Sequence, residues 1–167
     1  MDTKNDPVLF LLDANACNAL QRIDELNQLE NLANVGIINI MYTETTWCEA
    51  AFGSQIRHYK VSQFDRNGLS EDYQNNRLQQ PWREQIGRLI FPYETRTDGQ
   101  RRDIEALLTV KMSGGYFITR DGGSKSQPGG ILGHKSQLAT LGIEVLDFTD
   151  ALTYALKVFS NSKANRN

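Results

Sequence analysis

Five apolar residues in a row, Val8-Leu9-Phe10-Leu11-Leu12, stop abruptly at Asp13. A strand facing water on one side alternates apolar and polar residues, whereas an unbroken run this short must be covered on both faces. That is the pattern of a parallel sheet packed between helices. The run is too short to span a bilayer, and the polar, acidic stretch from Met1 to Pro7 does not read as a signal peptide. The expectation is a cytoplasmic protein without a membrane partner. Cys17 and Cys48 fit it: they lie in apolar, helix-like runs with no CxxC spacing and no histidine near, so they read as buried thiols in a reducing compartment.

The remaining chain alternates strand and helix patterns. Ala14 to Leu29 reads as a helix with Ala16, Leu20, Ile23, Leu26 and Leu29 on one side, and Asn31 to Asn34 reads as a linker. Val35 to Met41 is a second strand candidate, and a helix follows from about Thr43 or Glu44 to Ile56. Residues 60–96 suggest two short helices broken near Pro81, with Leu69, Tyr73, Leu78, Trp82, Ile86 and Leu89 scattered through them and a link at Phe91-Pro92-Tyr93. Arg101 to Met112 has helical spacing and ends at Gly114-Gly115; Tyr116 to Thr119 is a short strand, and Gly122 to Gly133 is rich in glycine and serine. His134 to Leu141 reads as a helix, Ile143 to Leu146 as an edge strand, and Thr149 to Phe159 as the last helix. This order predicts an α/β fold, a three-layer α/β/α sandwich around a mainly parallel sheet. Its 167 residues suit one domain over 1–159, with a longer helical region at about 60–96 and a polar tail at 160–167.

The 18 basic and 20 acidic residues leave a net charge of -2, so no global basic field advertises nucleic acid. The distribution is uneven: residues 1–50 carry two basic against eight acidic side chains, and residues 51–120 carry eleven against eight. In an open parallel sheet, ligands bind at the carboxyl ends of the strands, where strand order reverses. Asp13 closes the first strand and Asp121 follows the strand at 116–119, so both carboxylates reach one edge if those strands are neighbours. Asp103, in the helix feeding that strand, begins near the same edge, and Glu49 lies in the helix after the second strand, one turn beyond Thr46. Converging carboxylates repel unless a cation neutralises them, and Mg²⁺ or Mn²⁺ is the hard cation that oxygen ligands select. The chemistry implied is metal-assisted phosphodiester hydrolysis.

Leu11-Leu12-Asp13-Ala14-Asn15, Thr46-Trp47-Cys48-Glu49-Ala50-Ala51-Phe52-Gly53, Asp103-Ile104-Glu105-Ala106 and Phe117-Ile118-Thr119-Arg120-Asp121 follow one another in an order and spacing that resemble the PIN-domain family of metal-dependent nucleases. That family includes the ribonuclease toxins of toxin–antitoxin pairs. The resemblance covers residues 8–56 and 101–148, leaves out the long stretch from Tyr59 to Arg96, and departs at Gly122-Gly123. It implies a PIN-like fold and an acidic quartet of Asp13, Glu49, Asp103 and Asp121 around Mg²⁺ or Mn²⁺, with Asn15 and Thr119 positioning a carboxylate, a water or the phosphate. It implies an endoribonuclease acting on single-stranded or structured RNA, leaving a 3′-hydroxyl and a 5′-phosphate. Arg101, Arg102 and Arg120 are then the candidates nearest the phosphate, and an antitoxin protein and a second copy of the chain become candidate partners.

Plainer readings stand beside these. Asp13 could end a strand or cap a helix, Asp103 could face the helix dipole, Glu49 could be a solvated helix residue, and Asp121 could belong to a turn with Gly122-Gly123. Glu44 is a substitute for Glu49, and Asp98 could replace or join Asp103. His58 and His134 carry no assigned role. The alternative function is a catalytically incomplete PIN-like domain that binds nucleic acid or protein. An aspartyl phosphotransferase of the haloacid dehalogenase type is disfavoured, because it wants a second aspartate where Asn15 stands.

Overall fold

Phe10, Leu11 and Leu12 expose no more than 1% of their surface, so the first apolar run is covered from both sides, as its composition requires. The computed structural model describes residues 7–17, 23–43, 45–46, 62–63, 79–92, 96–124 and 127–164. Among them, β1 (Val8–Leu12), β2 (Ile38–Tyr42), β3 (Ser62–Gln63), β4 (Tyr116–Ile118) and β7 (Glu144–Leu146) form one sheet in the order β3-β2-β1-β4-β7. Every neighbouring pair in it is parallel. A two-residue hairpin, β5 (Gly123–Ser124) with β6 (Gln127–Pro128), stands apart.

Helices cover both faces. Phe10 and Leu12 point to the side closed by α1 (Ala14–Cys17), α2 (Asp24–Asn34) and α7 (Phe148–Ala164), where they meet Leu26, Leu29, Ala151 and Ala155. Leu11 and Phe117 point to the other side, against α3 (Gln80–Ile90), α4 (Asp98–Ser113), α5 (Gly130–Gly133) and α6 (Lys135–Thr140). The period-two alternation of strand side chains thus divides one apolar run between two cores. The architecture is α/β with a parallel sheet between helical layers.

Several boundaries differ from the sequence expectation. The first helix is not continuous from Ala14 to Leu29: Ile23 is extended, at φ -94 and ψ 98, and α2 starts after it. Asn31 to Asn34 is helix rather than linker, because Leu32 and Ala33 continue the buried stripe of Leu29. The helix stops one residue later, where Gly36 at φ 76 lets its own N–H reach Ala33 O and that of Ile37 reach Leu32 O. Pro81 opens α3 rather than breaking it, since the first turn of a helix has no use for the missing N–H. α4 begins at Asp98, three residues before the expected Arg101: Thr97 Oγ1 accepts the Gln100 N–H at 3.3 Å and the Gln100 side chain accepts the Thr97 N–H at 3.0 Å, a reciprocal cap. The helix ends where expected, at Gly114 with φ 69. The glycine-rich stretch holds the hairpin and α5, and α7 runs on through Ala164 into the stretch read as a tail. The helix expected to end at Ile56 is described only at residues 45–46, and residues 64–78 of the expected helical region lie outside the described residues.

Candidate functional site

β1 lies between β2 and β4, so the chain moves outward from β1 to β2 and β3 and then returns to β1's other side. The crevice between β1 and β4 at their carboxyl ends is the point where strand order reverses. Asp13 and Thr119 sit on either side of it. Backbone pairing continues past both strand ends, the Asp13 N–H donating to Ile118 O at 2.9 Å and the Thr119 N–H to Leu146 O at 3.1 Å. This fixes the two side chains relative to one another.

Asp13 is 6% exposed and Thr119 fully buried. The Thr119 hydroxyl donates to Asp13 Oδ2 at 2.7 Å, the Ala14 N–H donates to Oδ1 at 2.7 Å, and exposed Asn15 reaches Oδ2 with a long contact of 3.5 Å. Burial pushes the Asp13 carboxyl above its ordinary value; these three donors pull it down, and the charge of Asp121 pushes it up again. Burial and the Asp13 charge together push the neighbouring Cys17 thiol up to about 12, so Cys17 is a closed, inert thiol. Cys48 lies outside the described residues.

Thr119 Oγ1 also accepts the Asp121 N–H at 3.0 Å, which ties the second aspartate to the first. The half-buried Asp121 carboxylate folds the following loop around itself: Oδ1 accepts the Gly123 N–H and Oδ2 the Ile131 N–H, each at 2.9 Å, and its main-chain carbonyl accepts the Leu132 N–H at 3.0 Å. Gly130, at φ 53, passes so close that a Cβ there would stand 2.5 Å from Asp121 Oδ1 and 2.6 Å from its carbonyl oxygen.

Asp103 is half-buried in α4. It shares a helix face with Leu107 and Val110, both fully buried, and so begins the stripe that α4 lays on the sheet. Counting back from Ser113, Asp103 lies about 15 Å up the helix axis, whereas the strand from Tyr116 to Thr119 rises only about 10 Å. Asp103 thus belongs to the half of α4 nearer its start, and it does not gather with Asp13 and Asp121 closely enough for the three to hold a metal. Asp98, its possible substitute, is exposed and pairs with Arg101 at 3.2 Å. Glu49 and Glu44 lie outside the described residues.

The three expected phosphate contacts go to different places. Arg120 is exposed and lies 5.3 Å from the Phe148 ring, Arg101 is exposed two residues from Asp103 and hence across the helix from it, and Arg102 is half-buried in α4. Thr43 was not expected at the site. The register pairs Leu12 with Tyr42, so buried Thr43 follows β2 level with Asp13 on β1. Its Oγ1 accepts the Thr46 N–H at 3.1 Å and its hydroxyl donates to Thr46 Oγ1 at 2.9 Å, starting the next helix at the rim. The one sequence hint is a threonine ending an apolar run, three residues before another threonine.

Among the described residues, no three of His, Cys, Asp and Glu gather closely enough to hold a metal. Asp13 and Asp121 nonetheless fit a hard cation. They offer carboxylate oxygens only, and Asp13 is buried, raised in pKa and beside a second negative charge. Mg²⁺ needs no more than one or two carboxylates when waters and a substrate phosphate complete its shell. Compared with known protein families and curated proteins, the chain matches no family model and no curated sequence.

Proposed function

We propose that the chain is a divalent-metal-dependent phosphodiesterase of PIN-domain type, an endoribonuclease cutting single-stranded or structured RNA. The observation that carries this reading is the Asp13–Thr119–Asp121 chain of hydrogen bonds at the switch point of the sheet. Two carboxylates are held there against their own repulsion. The cation they would share, Mg²⁺ or Mn²⁺, supplies charge to offset that of the phosphate and lowers the pKa of water.

The chain's own groups do the rest. Thr119 keeps Asp13 Oδ2 in one orientation, so the carboxylate needs no reorganisation when substrate arrives. Asn15, exposed beside that oxygen, is placed to donate its amide to a phosphate approaching from solvent. Asp103, at the start of the buried stripe of α4, is the third acid of the reading, and Glu49 is the fourth. The RNA is cut to a 3′-hydroxyl and a 5′-phosphate.

One observation favours a second reading, a PIN-like domain that binds without cutting. Both Asp121 oxygens already hold backbone N–H groups, which is the behaviour of a loop organiser. Incubation of a mixed single-stranded RNA and DNA pool with Mn²⁺, beside EDTA and Asp13→Asn controls, separates the two. Cleavage of RNA that disappears in both controls is expected. A folded wild-type protein that binds Mn²⁺ or RNA but never cuts would leave the binding reading.

A further inference from the structure

A cavity of about 290 Å³ opens between α3 and α4, walled by Arg83, Arg96, Arg101, Glu84 and Glu105 over Ile104. It is at the small end of ligand sites, the size for one nucleotide-like group rather than a large cofactor. Its charges are not equivalent. Arg83 closes on Glu105 with two bonds, Nε to Oε1 at 2.6 Å and a terminal nitrogen to Oε2 at 3.2 Å, so these two neutralise each other. Glu84 pairs with the exposed Arg88 one turn further along α3, at 3.5 Å. Among the described residues Arg101 pairs with Asp98 alone, and their side chains are 67% and 82% exposed, so that partner is readily exchanged.

Arg96 is the exception. Its Nε donates weakly to Phe91 O at 3.4 Å, and among the described residues no carboxylate lies within ion-pair distance of it. The half-buried guanidinium lies flat on the α3 backbone, where a Cβ on Gly87 would stand 2.6 Å from Arg96 Cζ. A planar fork is thus held against a wall, and among the described residues no protein group takes its terminal N–H groups, which suits a phosphate. Arg101, Ile104 and Glu105 bring the wall of the cavity from the first half of α4, the helix that leads into β4.

We infer that the cavity between α3 and α4 seats a phosphate of the single-stranded RNA away from the scissile position, with Arg96 as its anchor and Arg101 as second donor. This rests on the nuclease reading for its substrate, yet it is tested without cleavage. A labelled single-stranded RNA is titrated in EDTA across a salt series, with adenosine 5′-monophosphate as the free-nucleotide probe. Arg96→Gln is expected to weaken RNA binding about tenfold and to flatten the salt slope by about 0.7. Gly87→Ala, which keeps the charge but pushes the fork off its wall, is expected to weaken binding similarly at an undiminished melting temperature. Arg96→Lys should restore the slope but only part of the affinity.

Wild-type affinity and slope in both Arg96→Gln and Gly87→Ala would overturn the inference. So would Arg96-dependent binding of adenosine 5′-monophosphate without binding of RNA, which would make the cavity a free-nucleotide pocket. If the protein binds RNA through Arg96 but cuts nothing with Mn²⁺, the nuclease reading fails and the phosphate seat stands.

Discussion

Asp13 is where burial and charge oppose each other most directly. Its folded pKa is raised from 3.8, first by burial, so the folded state holds the proton to higher pH than the unfolded chain does. Stability associated with this group is fully present below the unfolded value and is lost as pH rises through the raised one. Above the unfolded value Asp13 therefore weighs against folding, and Asp13→Asn should melt higher by about 2–4 °C for each kcal/mol relieved. The difference should grow from about pH 4 upward and close in acid; a constant difference across pH would mean that ionisation of Asp13 is not its cause. Thr119→Val acts in the opposite sense, since it removes the hydroxyl that donates to Asp13 and accepts from the Asp121 N–H. Two buried polar groups lose a partner, and a loss of about 1–3 kcal/mol for each group left unsatisfied should appear in denaturant unfolding, with cleavage lost as well. Thr119→Ser, which keeps the hydroxyl, should recover most of both.

At the scale of elements, the loop from Asp121 to Gly133 decides whether the second carboxylate is held. Gly130→Ala would drive a methyl against Asp121 Oδ1 and the Gly123 nitrogen at a positive φ, and neither the backbone nor the bonded carboxylate can move aside. Gly133→Ala meets nothing within 4 Å. The first should lose cleavage and melt lower, the second should match the wild type; a functional Gly130→Ala protein would show that the loop around Asp121 is dispensable. Little of this loop was legible in the sequence, because the bond from Ile131 back to Asp121 closes over nine residues, six of them glycine or serine, with no pattern of their own. β1 and β4 were legible for the opposite reason, each being an apolar run that stops near an acid. Pro81 and the Thr97 cap misled because a breaker and an opener have the same composition and differ only in which side the helix takes. Thr43 was invisible as a site residue: its place beside Asp13 comes from β1–β2 register, which no local signal encodes.

Across the whole molecule, the strand order makes one rim of the sheet the meeting place of groups far apart in sequence. Asp13 ends the first strand, and Thr119 and Asp121 arrive 106 and 108 residues later. Ligand binding at such a rim should stabilise the fold as a unit. A cation on Asp13 and Asp121 competes with the proton that burial favours, so metal affinity must fall as pH falls. Mn²⁺ at 100 times its dissociation constant contributes about 2.7 kcal/mol, which in a chain of this size is a rise of roughly 5–11 °C in melting temperature. That rise is expected near pH 8, should shrink toward pH 5 at the same Mn²⁺ concentration, and should be absent from Asp13→Asn. An equal rise in Asp13→Asn would place the ion elsewhere on the molecule. A rise that did not weaken in acid would mean that no proton is displaced, and hence that the buried carboxylate is not the ligand.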